Sequence, residues 1–281
     1  MREIHVSAIT DTVAELAVAA CCRLPDVMYR AIESSVEREA SPSGKDVLRQ
    51  LLLNADIAAS ENTPICQDTG LAVVFAEVGQ DVHVVGGSFE EAVNAGVAKG
   101  YTEGYLRKSS VAEPLFERKN TGDNTPAVLH VRLVPGDRIR LKLAPKGAGS
   151  ENKSALKMLV PADGIEGVKI FILKTAEEAG PNPCPPIVIG VGIGGTFDKA
   201  ALLAKKALMR STDERNADEF YAELENEMLR KVNALGIGPQ GFGGKTTALA
   251  VNIEAMPTHI AGLPVAVNIN CHVTRHKSAI I

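Results

Sequence analysis

Over the first sixty residues, apolar side chains recur three and four positions apart at residues 10–22, 25–37 and 45–60. That spacing predicts three amphipathic helices. Pro25 suits the first turn of the second helix, and Ser41-Pro42-Ser43-Gly44 marks a loop before the third. After Cys66 the period changes to two. Residues 71–78 and 82–85 read as strands, with Gly79-Gln80-Asp81 as a hairpin turn between them. Helical spacing returns over residues 88–107, where Ser88 is a candidate cap with Glu91 three positions on. Residues 127–134 and 138–143 alternate as a further strand pair across Pro135-Gly136-Asp137. Residues 154–160 predict a short helix, and residues 165–179 fit helix or strand. A buried strand is expected over 186–191, helices over 198–209 and 217–235, and late strands over 247–253 and 263–270.

Helices first and hairpins later predict an α+β fold. It is expected to be an N-terminal helical bundle packed on mainly antiparallel or mixed sheets flanked by helices. The chain reads as one domain over residues 1–281, with a helical part (1–62) and a mixed α/β part (63–281). Hydrophobic residues make up 45% and aromatics only 4%, with no Trp, so the core must be aliphatic. A net charge of −4 supplies no general basic field for nucleic acid or anionic lipid. No apolar run is long enough to span a bilayer, and Met1-Arg2-Glu3-Ile4 does not begin a signal peptide. The expected location is therefore the cytoplasm.

The five cysteines divide into two kinds. Cys21 and Cys22 sit inside an apolar helical stretch and read as small buried residues. Cys66, Cys184 and Cys271 each sit at a loop–strand boundary, far apart in sequence and without the close pairs of a structural zinc site. Spacing alone leaves two readings open, inert cysteines or a cluster assembled by the fold. Three thiolates on a four-iron cubane would leave one iron without a protein ligand, free to act as a Lewis acid.

The words around these cysteines carry a resemblance. Pro64-Ile65-Cys66-Gln67-Asp68-Thr69-Gly70 resembles the first cluster-ligand motif of class I fumarases and L-tartrate dehydratases. Asn182-Pro183-Cys184-Pro185-Pro186, followed by Gly190-Val191-Gly192-Ile193-Gly194-Gly195, is similar to the second, and Asn270-Cys271-His272 occupies the place of the third. Asn120–Pro126, Lys146–Asn152 and Gly236–Gly241 also match family segments in order. The resemblance implies an alpha subunit carrying a 4Fe-4S cluster on Cys66, Cys184 and Cys271, with one iron not ligated by protein. It further implies a tricarboxylic-acid-cycle-type hydro-lyase acting on a C4 dicarboxylate: fumarate to L-malate, with L-tartrate dehydration as the alternative. Gln67 and Asp68 would face the substrate, Asp68 protonating the leaving group or positioning water. Arg107 would bind a substrate carboxylate. Gly147 and Gly149 would offer backbone N–H groups to another, although Ala148 stands where many relatives have glycine. His259 would orient Asp68 or tune its proton affinity. The resemblance also implies a separate, smaller beta subunit that supplies the catalytic base and further substrate-binding residues, in a heterotetramer.

One motif points to a different class. Gly190–Gly195 fits G-x-G-x-x-G after a strand, the mark of an NAD-dependent dehydrogenase, but no apolar second strand ending in an acid follows it. Gly238–Thr246 approaches a phosphate loop and fails because Pro239 stands at a required glycine, so it reads as a tight loop with Lys245 on the surface.

Overall fold

A computed structural model describes residues 1–281. The fold is α+β, and the chain divides into two compact units. The first comprises residues 1–24, 55–148 and 275–281; the second comprises residues 25–54 and 149–274. The helices of the first sixty residues are shared out accordingly. Helix α1 (Val6–Cys22) belongs to the first unit and α2 (Asp26–Arg38) to the second, and α3 (Pro42–Glu61) runs from the second into the first.

In the first unit the strands are β1 (Arg2–His5), β2 (Leu71–Gly79), β3 (Val82–Val85), β4 (Val128–Val134), β5 (Ile139–Lys146) and β10 (Lys277–Ile280). Neither expected hairpin forms. Strand β3 leaves β2 and pairs in parallel with β1. Strands β4 and β5 do not pair with each other; they flank β2, parallel and antiparallel respectively, in a sheet ordered β10-β5-β2-β4. Alternation locates strands, but partner choice depends on long-range burial that no local turn encodes. Here β2, with Ala72, Val73, Val74 and Ala76 buried, lies between β5 and β4. Helix α1 packs on this sheet, with Ile9, Val13, Val74, Leu141 and Leu143 in a single aliphatic core. Helix α4 (Phe89–Glu103) packs along α1 through Gly96 and Gly100 and the following Gly104. A Cβ on Gly100 would meet the Ala14 carbonyl oxygen at 2.8 Å. Ser88 caps α4 as expected, its hydroxyl accepting from the Glu91 N–H.

The second unit holds β6 (Ala155–Leu159), β7 (Ile187–Gly194), β8 (Ala248–Met256) and β9 (Leu263–Asn270) in the order β6-β9-β7-β8. Residues 155–159, expected as helix, are instead the edge strand β6, because β9 supplies an antiparallel partner. The ambiguous stretch becomes α6 (Gly164–Ala179). Strand β7 is buried throughout and has two distinct faces. Ile189, Val191 and Ile193 join the core built with α6 and α8 (Glu219–Ala234). Gly190 and Gly192 face α7 (Phe197–Ala207), where a Cβ would lie 2.2 and 2.1 Å from the carbonyl oxygens of Ala204 and Ala200. Those glycines therefore let a helix press against a strand. They lie within β7 rather than in a loop that could cradle a pyrophosphate, which removes the physical basis of the dehydrogenase reading.

The run Gly238–Thr246 does form a nest of backbone N–H groups, but its anion is internal. The Glu39 carboxylate, 2% exposed, accepts from the N–H groups of Ala40, Ser41, Lys245 and Thr246. Gly244, at φ +138°, leaves the space this carboxylate fills. Burial alone would raise the Glu39 pKa; the Lys245, Ser41 and Thr246 donors outweigh it and hold the group at about 2.

Candidate active site

The first unit builds a tight loop over residues 64–70. Its entry is tied down by the Ile65 N–H, which donates to the Cys21 carbonyl at the end of α1. Cys66 is exposed, and its sulfur accepts from the Asp68 N–H at 3.4 Å. The Asp68 carboxylate is held at both oxygens: Oδ1 accepts from Gly70 N–H and Oδ2 from Ala148 N–H, each at 2.9 Å. The expected nest at residues 147–149 thus already serves a protein carboxylate, through Ala148 itself. None of these three residues has positive φ, because they enter the short helix α5 (Ala148–Glu151), so alanine is tolerated there. Gly147 lies against Asp68, where an added Cβ would sit 2.9 Å from Oδ2. Gly70, at φ +67°, has no room for a side chain against the Lys146 backbone.

Thr69 and Gly70 are the anchor of this loop. The buried Thr69 hydroxyl donates to the Arg107 carbonyl, which fixes the Arg107 backbone beside the loop. The Arg107 side chain is exposed and forms no ion pair within the chain, and Gln67 is likewise exposed with no partner of its own. Tyr101 Oη donates to the carbonyls of Thr69 and Gly70. Asn124, fully buried, bridges the Ser109 and Ser110 N–H groups to the Gly70 carbonyl. This explains the Asn120–Pro126 word, which carried no assigned residue in the sequence reading.

Arg275 was missed altogether. It is only 4% exposed, and its Nη2 donates to the Asp68 carbonyl, while Nε and Nη1 are buried with no partner. Two unsatisfied guanidinium donors beside the Cys66 loop are costly unless something accepts from them. Its place four residues after Cys271 was the only hint in the sequence. Cys21 is fully buried, as expected; burial first, then the neighbouring Cys22, Asp68 and Cys66, pushes its thiol up to about 12, against the pull of Arg275.

The second unit brings two other cysteines together. Cys184 is exposed and adopts φ +56°, a left-handed conformation that favours glycine and is uncommon for a residue with a side chain. The His272 backbone N–H and its ring Nδ1–H both donate to the Cys184 carbonyl, so the loops of Cys184 and Cys271 are joined. Gln240 braces the next residue, its N–H and Nε2 both donating to the Pro185 carbonyl. Glu151 and Ser154 receive the Asn268 amide at the end of β9, so the Gly-Ser-Glu-Asn run supports the strand that delivers Cys271. His259 sits exposed in the β8–β9 turn, with Nδ1 accepting from the Ala261 N–H.

No three His, Cys, Asp or Glu side chains are gathered closely enough to hold a single metal ion. A cubane makes a different demand, since its thiolates bind separate irons. Within the first unit, Cys66 is exposed on a structured loop and Arg275 carries buried donors with no partner; within the second, Cys184 and Cys271 are at least partly exposed, and thiols of this accessibility have the donor chemistry that a cubane takes.

Residues 10–280 match the family described as fumarate hydratase (fumerase). The chain is 45% identical over 276 residues to a putative L(+)-tartrate dehydratase subunit alpha of Methanocaldococcus jannaschii, covering 95% of each. It is 30% identical over 280 residues to the L(+)-tartrate dehydratase subunit alpha of Escherichia coli O157:H7, covering 98% of this chain and 91% of that one. A third match, 31% over 270 residues, is the corresponding subunit of Escherichia coli strain UTI89. The chain belongs to the fumarate hydratase (fumerase) family. No helix is long and apolar enough to cross a membrane.

Proposed function

We propose that this chain is the alpha subunit of a hydro-lyase that eliminates water from a hydroxylated C4 dicarboxylate, L(+)-tartrate in the first instance. The names of the relatives support tartrate. Fumarate–malate interconversion, our expectation from sequence, is the second reading and is favoured by the family's description. The observation that carries the proposal is the Asp68 loop, with its carboxylate clamped by two backbone N–H groups next to an exposed cysteine.

Cys66, Cys184 and Cys271 are the residues that would hold a 4Fe-4S cluster with one iron free of protein ligands. When bound, that group supplies Lewis acidity to the departing hydroxyl. Arg107, unpaired and planar, takes one substrate carboxylate in a bidentate grip. Asp68 has both oxygens held as acceptors, so it is set to orient the substrate hydroxyl or a water. Gln67 donates its amide to the same hydroxyl. Gly147 and Gly149 supply backbone close to the substrate. His259, whose Nδ1 accepts from the Ala261 N–H, orients Asp68 or tunes its proton affinity. The base that takes the C–H proton comes from a separate, smaller partner subunit in a heterotetramer, since none of these residues suits that task. The complex works in the cytoplasm.

The test is anaerobic reconstitution of the chain, an iron and sulfide count, and assays with L(+)-tartrate and L-malate with and without the partner subunit. Four irons and four sulfides per chain are expected, with activity only in the complex and higher on tartrate. Full activity from the lone chain would remove the partner's role, and normal cluster content in all three Cys→Ser variants would remove the ligand assignment.

A further inference from the structure

The second unit contains a cavity of about 620 Å³ that includes none of the residues assigned to substrate or cluster. Four cations line it: Arg30 and Arg38 from α2, Arg215 from the α7–α8 connection, and Lys245 from the turn before β8. The only acid in its wall is Asp213, whose carboxylate accepts from the Ser211 hydroxyl. None of the four cations forms an ion pair within the chain. Elsewhere in this unit, cations do find acids, as with Arg210–Glu225 and Lys205–Glu151. Such a concentration of unneutralised positive charge is unusual in a chain with a net charge of −4.

Thr212 supplies an independent sign. It is 9% exposed, its hydroxyl has no hydrogen-bond partner, and it lines the same cavity. A buried hydroxyl without a partner is destabilising unless a ligand satisfies it. The rest of the wall mixes aliphatic side chains, Val27, Leu229 and Leu249 among them, with the polar Ser34, Ser35, Asn233 and Thr246. No aromatic ring lines it, so it offers no stacking platform for a base. Lys245 keeps its side chain for the cavity because only its backbone N–H serves Glu39. Glu39 is not in the cavity wall, and its carboxylate accepts from the backbone N–H groups of Ala40, Ser41, Lys245 and Thr246.

The geometry points to a binding site for a small polyanion, two or more phosphate or carboxylate groups on an aliphatic frame, held by Arg30, Arg38, Arg215 and Lys245 with Thr212 donating. Guanidinium groups grip both kinds of oxyanion in bidentate fashion. A bound anion would bridge α2, the α7–α8 connection and the turn before β8, and so stabilise the second unit.

The experiment uses the full chain at constant ionic strength, titrated with pyrophosphate and, separately, with citrate, against sodium chloride as control. Calorimetry is expected to show one saturable site per chain for at least one of the two. Preference for pyrophosphate would assign a phosphate ester, and preference for citrate a polycarboxylate. Arg30→Ala and Arg215→Ala are each expected to weaken binding at least tenfold with an unchanged melting temperature in the absence of ligand. Thr212→Val, which removes an unpaired hydroxyl, is expected to leave the free chain equally or more stable and to weaken binding about fivefold. Absence of saturable binding by either anion would overturn the proposal, as would binding within twofold of wild type in all three variants.

Discussion

Replacing Glu39 with Gln tests the internal nest directly. The carboxylate accepts from four backbone N–H groups at 2.8–3.1 Å and from the Thr246 hydroxyl. A fall from the ordinary 4.5 to about 2 means that the ionised form is favoured in the folded state. At about 1.4 kcal/mol per pH unit, this amounts to about 3 kcal/mol. Because the folded pKa is depressed, the stabilisation is fully present above pH 4.5 and is lost as pH falls toward 2. Glutamine cannot ionise, and it sets an NH2 group against N–H donors, so at pH 7 the full chain is expected to lose about 3 kcal/mol in urea denaturation followed by circular dichroism. Between pH 4.5 and 2.5 the difference between wild type and variant should close. His276 acts in a separate window. Burial first, then Lys142 and Lys277, lowers its pKa from 6.5 to about 4, so stability falls as pH drops from 6.5 toward 4 in wild type and variant alike. A Gln variant within 1 kcal/mol of wild type at pH 7, with the two pH curves parallel from pH 5 to 2.5, would refute the nest as an energetic feature.

Arg275→Lys keeps a donor for the Asp68 carbonyl but removes the fork carrying the unpaired Nε and Nη1, so activity of the reconstituted complex should fall about 10–100-fold while the melting temperature stays near wild type. Asp68→Asn should lower kcat by about 10²-fold or more in the complex and change the stability of the chain by about 1 kcal/mol, which separates a chemical role from a turn-forming one. Gly100→Ala drives a methyl group onto the Ala14 carbonyl and should cost about 1–3 kcal/mol, read by urea denaturation. Iron content after reconstitution should drop in Cys66→Ser, Cys184→Ser and Cys271→Ser and remain normal in Cys21→Ser, whose sulfur is buried and protonated.

Much of this protein was legible without coordinates. Helical spacing located α1, α2, α3 and α8 within a few residues, because an amphipathic stripe is a local property. Alternation found β2, β4, β5, β8 and β9 for the same reason. The two kinds of cysteine were separable by context, Cys21 and Cys22 within a helix and the other three at loop boundaries. Only the tertiary structure decided which strands pair. It put β2 between β4 and β5, sent β3 to β1, and turned residues 155–159 into strand, since pairing follows the burial of whole faces rather than the turn between neighbours. It also decided what the polar residues serve. Arg275 next to the Asp68 loop, Asn124 under Gly70, and Glu39 inside a nest more than 200 residues away in sequence are contacts between distant segments, and no local pattern of side chains specifies them.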